Sequence, residues 1–107
     1  MRPIEFQILL TLAAGSRHGY AIIQDIEERN SGGVTVETGT LYRALQRLLE
    51  ADLVRMTEPG RGAEHDDERR RYYAITAMGK RAAADEARRM AALVDAARAV
   101  RIIPEAT

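Results

Sequence analysis

Hydrophobic residues in the first half of the chain recur at the three- and four-residue spacing of an amphipathic helix. The pattern predicts helices over residues 3–14, 18–30 and 38–51. Pro3 suits the first turn of the first helix, because the amide hydrogen that proline lacks would have no partner there. Gly15 predicts the end of that helix, and Ser16 is a suitable cap for the second. The positions of the second helix expected to face inward are Tyr20, Ile23 and Ile26, with Ile22 as a further candidate.

The third predicted helix, "TGTLYRALQRL" from Thr38 to Leu48, separates its apolar and polar residues most clearly. Thr38 is a good N-cap residue. The apolar face comprises Leu41, Ala44, Leu45 and Leu48. The opposite face comprises Thr40, Tyr42, Arg43, Gln46 and Arg47. That face carries two arginines and no carboxylate, which is unusual in a chain rich in Asp and Glu.

The second half of the chain predicts two strands and a long helix. "LVRM" (53–56) and "RRYYAI" (70–75) have the alternation of strands, with Tyr73 and Ile75 on one face. The segment 58–68 between them contains Pro59 and two glycines and predicts a turn. Thr76 is then expected to cap a helix over residues 77–100.

This order of elements predicts a mainly α (α+β) winged helix-turn-helix with a two-stranded wing and a long C-terminal dimerisation helix. We expect a DNA-binding domain over residues 1–76 and a dimerisation helix with its tail over residues 77–107. In this architecture the second helix of the helix-turn-helix enters the major groove of DNA.

Composition narrows the function further. The 107 residues include 16 Lys plus Arg, 16 Asp plus Glu and no Cys, so the net charge is zero and disulfides or thiol catalysis are excluded. No apolar run is long enough to span a membrane, and the amino terminus does not read as a signal peptide, so we expect a soluble cytoplasmic protein. No catalytic triad or phosphate-binding glycine motif is present, and we expect neither an enzyme nor a cofactor.

Because net charge is zero, any DNA-binding surface must come from local clustering. Thr40, Arg43 and Arg47 lie one helical turn apart and are expected to project together. Arginine can donate two hydrogen bonds to guanine, while hydroxyls and the helix N-terminus near Thr38 and Gly39 suit phosphates. The alternative is that this face is an ordinary solvated helix surface. Its place after a helix-turn and before a hairpin favours DNA.

Three segments in this order resemble the PadR-like transcriptional regulators: "HGYAIIQDI" (18–26), "TGTLYRALQRLLEADLV" (38–54) and "RRYYAITAMGK" (70–80). The resemblance implies a dimeric winged-helix repressor that binds an inverted repeat in double-stranded DNA, and that releases it when a small molecule binds. The short C-terminal segment is similar to the smaller subgroup with one final helix. The family often has proline where this chain has Arg43. The DNA contacts that the resemblance and the exposed face together indicate on the third helix are Thr38, Gly39, Thr40, Tyr42, Arg43, Gln46 and Arg47.

The predicted wing is mixed in charge. Its basic positions expected to contact DNA are Arg61, Arg69 and Arg70. The acidic residues of "EHDDE" (64–68) would repel phosphates. Two alternatives follow: a winged-helix protein-interaction module without specific DNA binding, or a metal or small-molecule sensor that uses this acidic loop. His18, at the start of the second helix, is more consistent with packing or capping than with a ligand-binding role.

The last predicted helix carries a heptad-like apolar seam. The positions expected at a homodimer interface are Phe6 and Leu10 of the first helix with Ala83, Ala87, Met90, Leu93, Val94 and Ala97 of the last. Two-fold symmetry would place two recognition helices about one DNA turn (~34 Å) apart and predicts a palindromic operator. A small hydrophobic effector could bind at this seam.

Overall fold

A computed structural model describes residues 1–58 and 71–104. The elements in chain order are α1 (Pro3–Ala13), β1 (Arg17–His18), α2 (Gly19–Arg29), α3 (Thr38–Glu50), β2 (Val54–Thr57), β3 (Tyr72–Ile75) and α4 (Ala77–Ala99). Every predicted helix and both predicted strands are present, within one or two residues of the expected bounds. The winged helix-turn-helix prediction is therefore confirmed. Within the part of the chain that the structure describes, no helix combines the length and apolar character needed to cross a bilayer.

The three strands form one antiparallel sheet in the order β1-β3-β2. Val54 pairs with Ile75 and Thr57 with Tyr72 across β2 and β3. On the other edge of β3, Arg17 pairs with Tyr73 and His18 with Tyr72. The short strand β1 is absent from the sequence prediction, because two residues are too few to show an alternation. Its pairing with β3 connects the base of the wing to the start of α2, which directly follows β1.

The helix caps differ in part from the prediction. The cap of α2 is His18, whose Nδ1 accepts a hydrogen bond from the Ala21 N–H at 3.2 Å, so the expected Ser16 cap is wrong. Helix α3 begins at Thr38 itself, after Glu37, and no side chain caps it. Thr76 caps α4 as predicted: its Oγ1 accepts from the Gly79 N–H at 2.9 Å.

The core lies where α1, α2 and α3 meet the sheet. Its buried side chains are Ile8, Leu9, Leu12, Ile22, Ile26, Val36, Leu41, Ala44, Leu45, Leu48, Val54 and Tyr73. Tyr20 is 59% exposed, so the prediction that it faces inward is wrong. Tyr72 and Tyr73 are both buried although they are neighbours on β3, because the ring of His18 packs edge-on to Tyr72 at a centroid distance of 5.5 Å.

Helix α4 packs on the domain only along its first half. Gly79 and Glu86 are buried, and Ala83 contacts the core cluster. Further along the helix, Leu93 and Val94 are exposed. The long helix gives the chain an extent of 51 Å along its longest axis, against 29 and 26 Å along the others. Its second half therefore presents apolar side chains away from the chain's own core.

Candidate nucleic-acid interface

Helix α3 has one fully buried and one open face. Leu41, Ala44, Leu45 and Leu48 are at most 2% exposed. The exposed residues of the helix are Thr38, Gly39, Tyr42, Arg43, Gln46 and Glu50. The buried face holds the helix firmly against α1 and α2, so the open face is presented on a rigid support.

In the first two turns of α3, Gly39, Thr40 and Arg43 lie close together. Nη2 of Arg43 donates a long hydrogen bond, 3.4 Å, to Oγ1 of Thr40. A Cβ at Gly39 would lie 3.1 Å from Nη1 of Arg43, so the arginine side chain folds back over the glycine. Since Arg43 is exposed and makes no ion pair within the described residues, its guanidinium is available to a base edge or a phosphate.

Next to this face, a cleft of about 260 Å³ lies between α2, α3 and the start of β3. Its lining comprises His18, Gly19, Tyr20, Tyr42 and Arg71. A Cβ at Gly19 would clash with the Tyr42 hydroxyl, so the glycine allows the tyrosine ring to approach α2 closely. Two exposed tyrosines and an exposed arginine together offer hydroxyl and guanidinium donors to a phosphate backbone.

The sequence does not predict that these residues line one cleft. Tyr20 was expected in the core, because its spacing from Ile23 and Ile26 fits the inward stripe of α2. The signal that could have placed it outside was Ile22, two residues further on and therefore on the opposite side of the helix. Ile22 is fully buried. With Ile22 inward, Tyr20 lies in the cleft with Tyr42 of α3.

Arg47 does not project together with Thr40 and Arg43, contrary to the sequence prediction. Its Nε donates to Oε2 of Glu5 on α1 at 2.6 Å, and the Arg47 side chain is 34% exposed. Burial acts to raise the pKa of Glu5. The hydrogen bonds from the Arg47 side chain and the Arg2 backbone N–H, together with the positive charges of the Arg47 and Arg2 guanidinium groups, nevertheless hold that pKa below its usual value. The expectation that Arg47 projects together with Thr40 and Arg43 is therefore not met, since Glu5 holds its guanidinium against α1.

The predicted wing contacts lie outside the described residues. These are Arg61, Arg69 and Arg70, together with the acidic "EHDDE" segment on which the sensor alternative rests. Among residues 1–58 and 71–104, no group of three or more His, Asp or Glu side chains is arranged to hold a metal ion. Within those residues, Arg43 is an exposed basic group on α3, and Arg71 lines the cleft beside Tyr42.

The predicted dimer residues fall into two classes of exposure. Leu10, Ala87, Leu93 and Val94 are exposed, and Phe6, Ala83, Met90 and Ala97 are partly buried. Beyond the predicted set, Val100 and Ile102 are 67% and 76% exposed. The chain's own fold therefore leaves apolar side chains exposed on α1 and on the second half of α4.

Comparison of the sequence with known families gives a match over most of this fold. The profile of the transcriptional regulator PadR-like family matches residues 8–85. The chain is also 34% identical over 73 residues to uncharacterized protein X of Lysinibacillus sphaericus, covering 68% of the chain and 64% of that relative. The matched region thus spans less than two thirds of the length of that relative.

Solved structures give the same fold. A PadR family transcription regulator of Clostridium difficile superposes with a TM-score of 0.76 at 23% identity, over 91% of this chain and 96% of its own. RosR of H. salinarum superposes with a TM-score of 0.67 at 29% identity, over 84% and 74%. Bacillus subtilis PadR in complex with operator DNA superposes with a TM-score of 0.63 at 21% identity, over 78% and 46%.

Proposed function

Since the chain belongs to the PadR-like family of transcriptional regulators, we propose that it is a homodimeric repressor that binds an inverted-repeat operator through α3. Members of this family are transcriptional regulators and not enzymes. The observation that carries the proposal is the exposed face of α3, where Tyr42, Arg43 and Gln46 stand opposite four buried residues.

In the proposed complex, Arg43 and Gln46 read base edges from the major groove. Arginine suits guanine O6 and N7, and glutamine suits adenine N6 and N7. Gln46 donates from Nε2 to Glu50 at 3.1 Å in the free protein, a surface contact that a base can replace. Thr38, Gly39 and Thr40 lie at the start of the helix, where unpaired backbone N–H groups suit a phosphate.

The cleft beside α3 then holds the sugar-phosphate backbone. The cleft is lined by Tyr20 of α2, Tyr42 of α3 and Arg71, which directly precedes β3. Contacts of this kind set the register of the protein on the duplex without reading sequence. We assign Arg47 a different role from the one that the sequence predicts: through Glu5 it fixes the orientation of α3, and it is not a base-reading residue.

The homodimer is supported by the apolar surface of α4. Leu93 and Val94 are 57% and 39% exposed, and Leu10 of α1 is 38% exposed. An isolated chain would leave this surface in water, whereas a second copy would bury it. Two-fold symmetry would present two α3 helices to one face of DNA, and it predicts a palindromic operator with half-sites about one turn apart.

The test is fluorescence anisotropy with the duplex from upstream of this protein's own gene and a scrambled duplex of equal length, across a salt series. We expect preference for the native duplex and a steep salt dependence, because phosphate contacts release counterions. Arg43→Ala should lose that preference. Arg88→Ala on α4 removes one exposed arginine away from α3 and is the matched control.

Weak and equal binding of both duplexes, with a shallow salt slope, would contradict the proposal for this operator. A genome-wide selection of bound fragments by the purified protein then distinguishes a distant operator from a protein-interaction module without specific DNA binding.

A further inference from the structure

Glu5 of α1 is paired with Arg47, one of the two arginines of α3. Nε of Arg47 donates to Oε2 of Glu5 at 2.6 Å, and the Glu5 side chain is only 12% exposed. The same carboxyl group accepts from the Arg2 N–H at 3.0 Å through Oε1. Glu5 is therefore held in place both by the first turn of its own helix and by α3. The positive charge of Arg47 is balanced by this fixed carboxylate.

The position of Arg47 along α3 would otherwise suit a contact with DNA. Seven residues amount to two helical turns within about 20°, so the Cβ atoms of Thr40 and Arg47 lie on the same side of the helix. Arg43, one turn before Arg47, is exposed. The Arg47 side chain itself keeps 34% of its surface exposed although its guanidinium is paired. Without Glu5, this long side chain would be able to turn towards a duplex that lies along α3.

We propose that Glu5 is a positioning residue that withholds Arg47 from DNA and so limits the sequence-independent part of the affinity. This inference rests on the proposed function, because it takes α3 as the helix that meets DNA. Glu5 and Arg47 together carry no net charge, so a phosphate that the guanidinium attracts is repelled by the carboxylate beside it. Of the two arginines on α3, Arg43 alone is left to attract the duplex.

Competition between Glu5 and a DNA phosphate for Arg47 favours Glu5. The carboxylate is already in contact and is mostly shielded from water, and loss of its partner would leave a nearly buried charge without compensation. A phosphate on the surface of a duplex is solvated, and salt screens its attraction for an exposed arginine. The ion pair is therefore expected to persist when DNA binds.

Release of Arg47 should strengthen binding to every duplex alike, because a phosphate contact carries no sequence information. One additional phosphate contact makes the salt dependence steeper by about 0.9, which corresponds to about fivefold tighter binding near 0.15 M salt. Base reading by Arg43 and Gln46 would be unaffected. Glu5 thus lowers the affinity for all DNA without changing which sequence is preferred.

The test is fluorescence anisotropy with the scrambled duplex across a salt series, on two variants of Glu5. Glu5→Gln keeps an oxygen for the Arg2 N–H, whereas Glu5→Ala removes every contact of the side chain. For both variants, which thermal unfolding must show to be folded, we expect about fivefold tighter binding and a salt slope steeper by about one. Adding Arg47→Ala to either variant should return the affinity and the slope to near the wild-type values.

The matched control is Glu37→Gln, which removes the same charge from an exposed residue directly before α3. Among the residues that the structure describes, Glu37 has no arginine to release. This variant should therefore raise the affinity much less than Glu5→Gln does. An equal rise would show that net charge alone is responsible, and it would overturn the proposal.

The side-chain Nε–H resonance of Arg47 reports the ion pair directly in ¹⁵N-labelled full-length protein. When scrambled duplex is added to the wild-type protein, we expect this signal to keep its position while that of Arg43 shifts. An Arg47 signal that shifts together with that of Arg43 would mean that Arg47 already binds DNA from its pair with Glu5. That result would overturn the proposal, as would unchanged or weaker binding of the scrambled duplex by both Glu5 variants.

Failure of the proposed function would have a different signature. It would appear as equal affinity of the wild-type protein for the native and scrambled duplexes. The role of Glu5, by contrast, is judged only from the change that its variants cause on the scrambled duplex. A gain in binding by both Glu5 variants, without any sequence preference in the wild type, would support the inference and contradict the proposed operator.

Discussion

Glu5 of α1 and Arg47 of α3 form an ion pair at 2.6 Å across 42 positions of the sequence. The Glu5 side chain is 12% exposed, so the pair is partly shielded from water. Glu5 also accepts from the Arg2 N–H at 3.0 Å at the start of α1. One carboxylate therefore links the first turn of α1 to α3. The orientation of α3 depends on a residue that lies outside the helix-turn-helix.

Glu5→Gln should lower the free energy of unfolding by about 1 kcal/mol at neutral pH, because it weakens a hydrogen bond to a charged partner. The pKa of Glu5 is below its ordinary value of 4.5 in the folded protein. The stabilisation is therefore fully present above pH 4.5 and is lost as pH falls through the lowered pKa. Urea unfolding of both proteins across this range measures the difference.

The matched control is Asp85→Asn, which neutralises an exposed carboxylate paired with Arg88. Such surface pairs contribute little, so its effect should stay below about 0.5 kcal/mol. A Glu5→Gln difference that stays constant down to the acid limit would show that the carboxylate charge contributes nothing.

The substitutions Arg43→Ala and Arg47→Ala should have different effects, the first on operator binding and the second on the stability of the fold. Arg43 is exposed, so its loss should weaken operator binding by ~1–3 kcal/mol and leave the melting temperature nearly unchanged. Arg47→Ala should lower stability by about 1 kcal/mol, because it leaves Glu5 without its partner. Anisotropy at matched salt and thermal unfolding measure the two effects. A normal melting temperature with lost base preference in Arg47→Ala would restore the sequence-based role.

Gly79→Ala and Gly39→Ala should change stability in opposite directions. A Cβ at Gly79 would collide with the backbone carbonyl of Leu53 and lie 2.8 Å from Cγ1 of Ile75. Since a backbone carbonyl cannot rotate away, we expect a loss of about 3 kcal/mol.

At Gly39 the nearest atom is the mobile end of Arg43 at 3.1 Å. Alanine there should stabilise α3 by about 0.5 kcal/mol, while its methyl group keeps the DNA backbone at a distance. Chemical denaturation compares the two variants. A stable Gly79→Ala protein would mean that α4 can shift along Leu53 without cost.

Val94→Asp and Met90→Asp should convert the proposed dimer into monomers, because each places an unpaired charge in an apolar interface. Ala92→Asp is the matched control, since two residues along a helix amount to about 200° of rotation and place Ala92 on the opposite side. Sedimentation velocity distinguishes the species. An intact dimer in both seam variants would place the interface elsewhere on the chain.

Asp52→Gly should stabilise the fold by ~0.5–1 kcal/mol. Asp52 has φ of 61° at the end of α3, in the left-handed region that favours glycine. Its carbonyl accepts from the Thr76 hydroxyl at 2.7 Å, a backbone contact that glycine keeps. Asp52→Ala is the control and should give no gain, because alanine bears the same left-handed strain. Equal melting temperatures for Asp52→Gly and wild type would contradict this account.

The sequence predicts the helices because each has an apolar stripe long enough to establish a period. Thr76 is also predicted correctly as a cap, since it directly precedes α4. The capping role of His18 is also indicated by its place at the start of α2, and the contact is local, with the Ala21 N–H. By contrast, β1 depends on pairing with β3, more than fifty residues away, which no local pattern contains. Fold and element order are therefore largely predictable, whereas the ends of short elements are not.

The position of α3 is predictable from the sequence, whereas the contacts of its side chains are predictable only in part. The exposed residues Tyr42, Arg43 and Gln46 follow from helical spacing. The same spacing placed Arg47 with them, because it cannot show that Glu5 of another helix lies within reach. The direction of a long arginine side chain on the border of two helix faces depends on its tertiary partner, which helical spacing does not show.

The pairing of Arg17 with Tyr73 and of His18 with Tyr72 bears on how the chain folds. The central strand of the sheet needs an edge from the start of the helix-turn-helix and another from β2. Pairing β1 with β3 closes a loop of more than fifty residues, and the loss of chain entropy is offset by few local contacts. The sheet is therefore expected to assemble late, after the helices have met, and to be lost in the same cooperative step as they are. A wing fragment expressed without residues 17–18 would lack one edge of its own sheet.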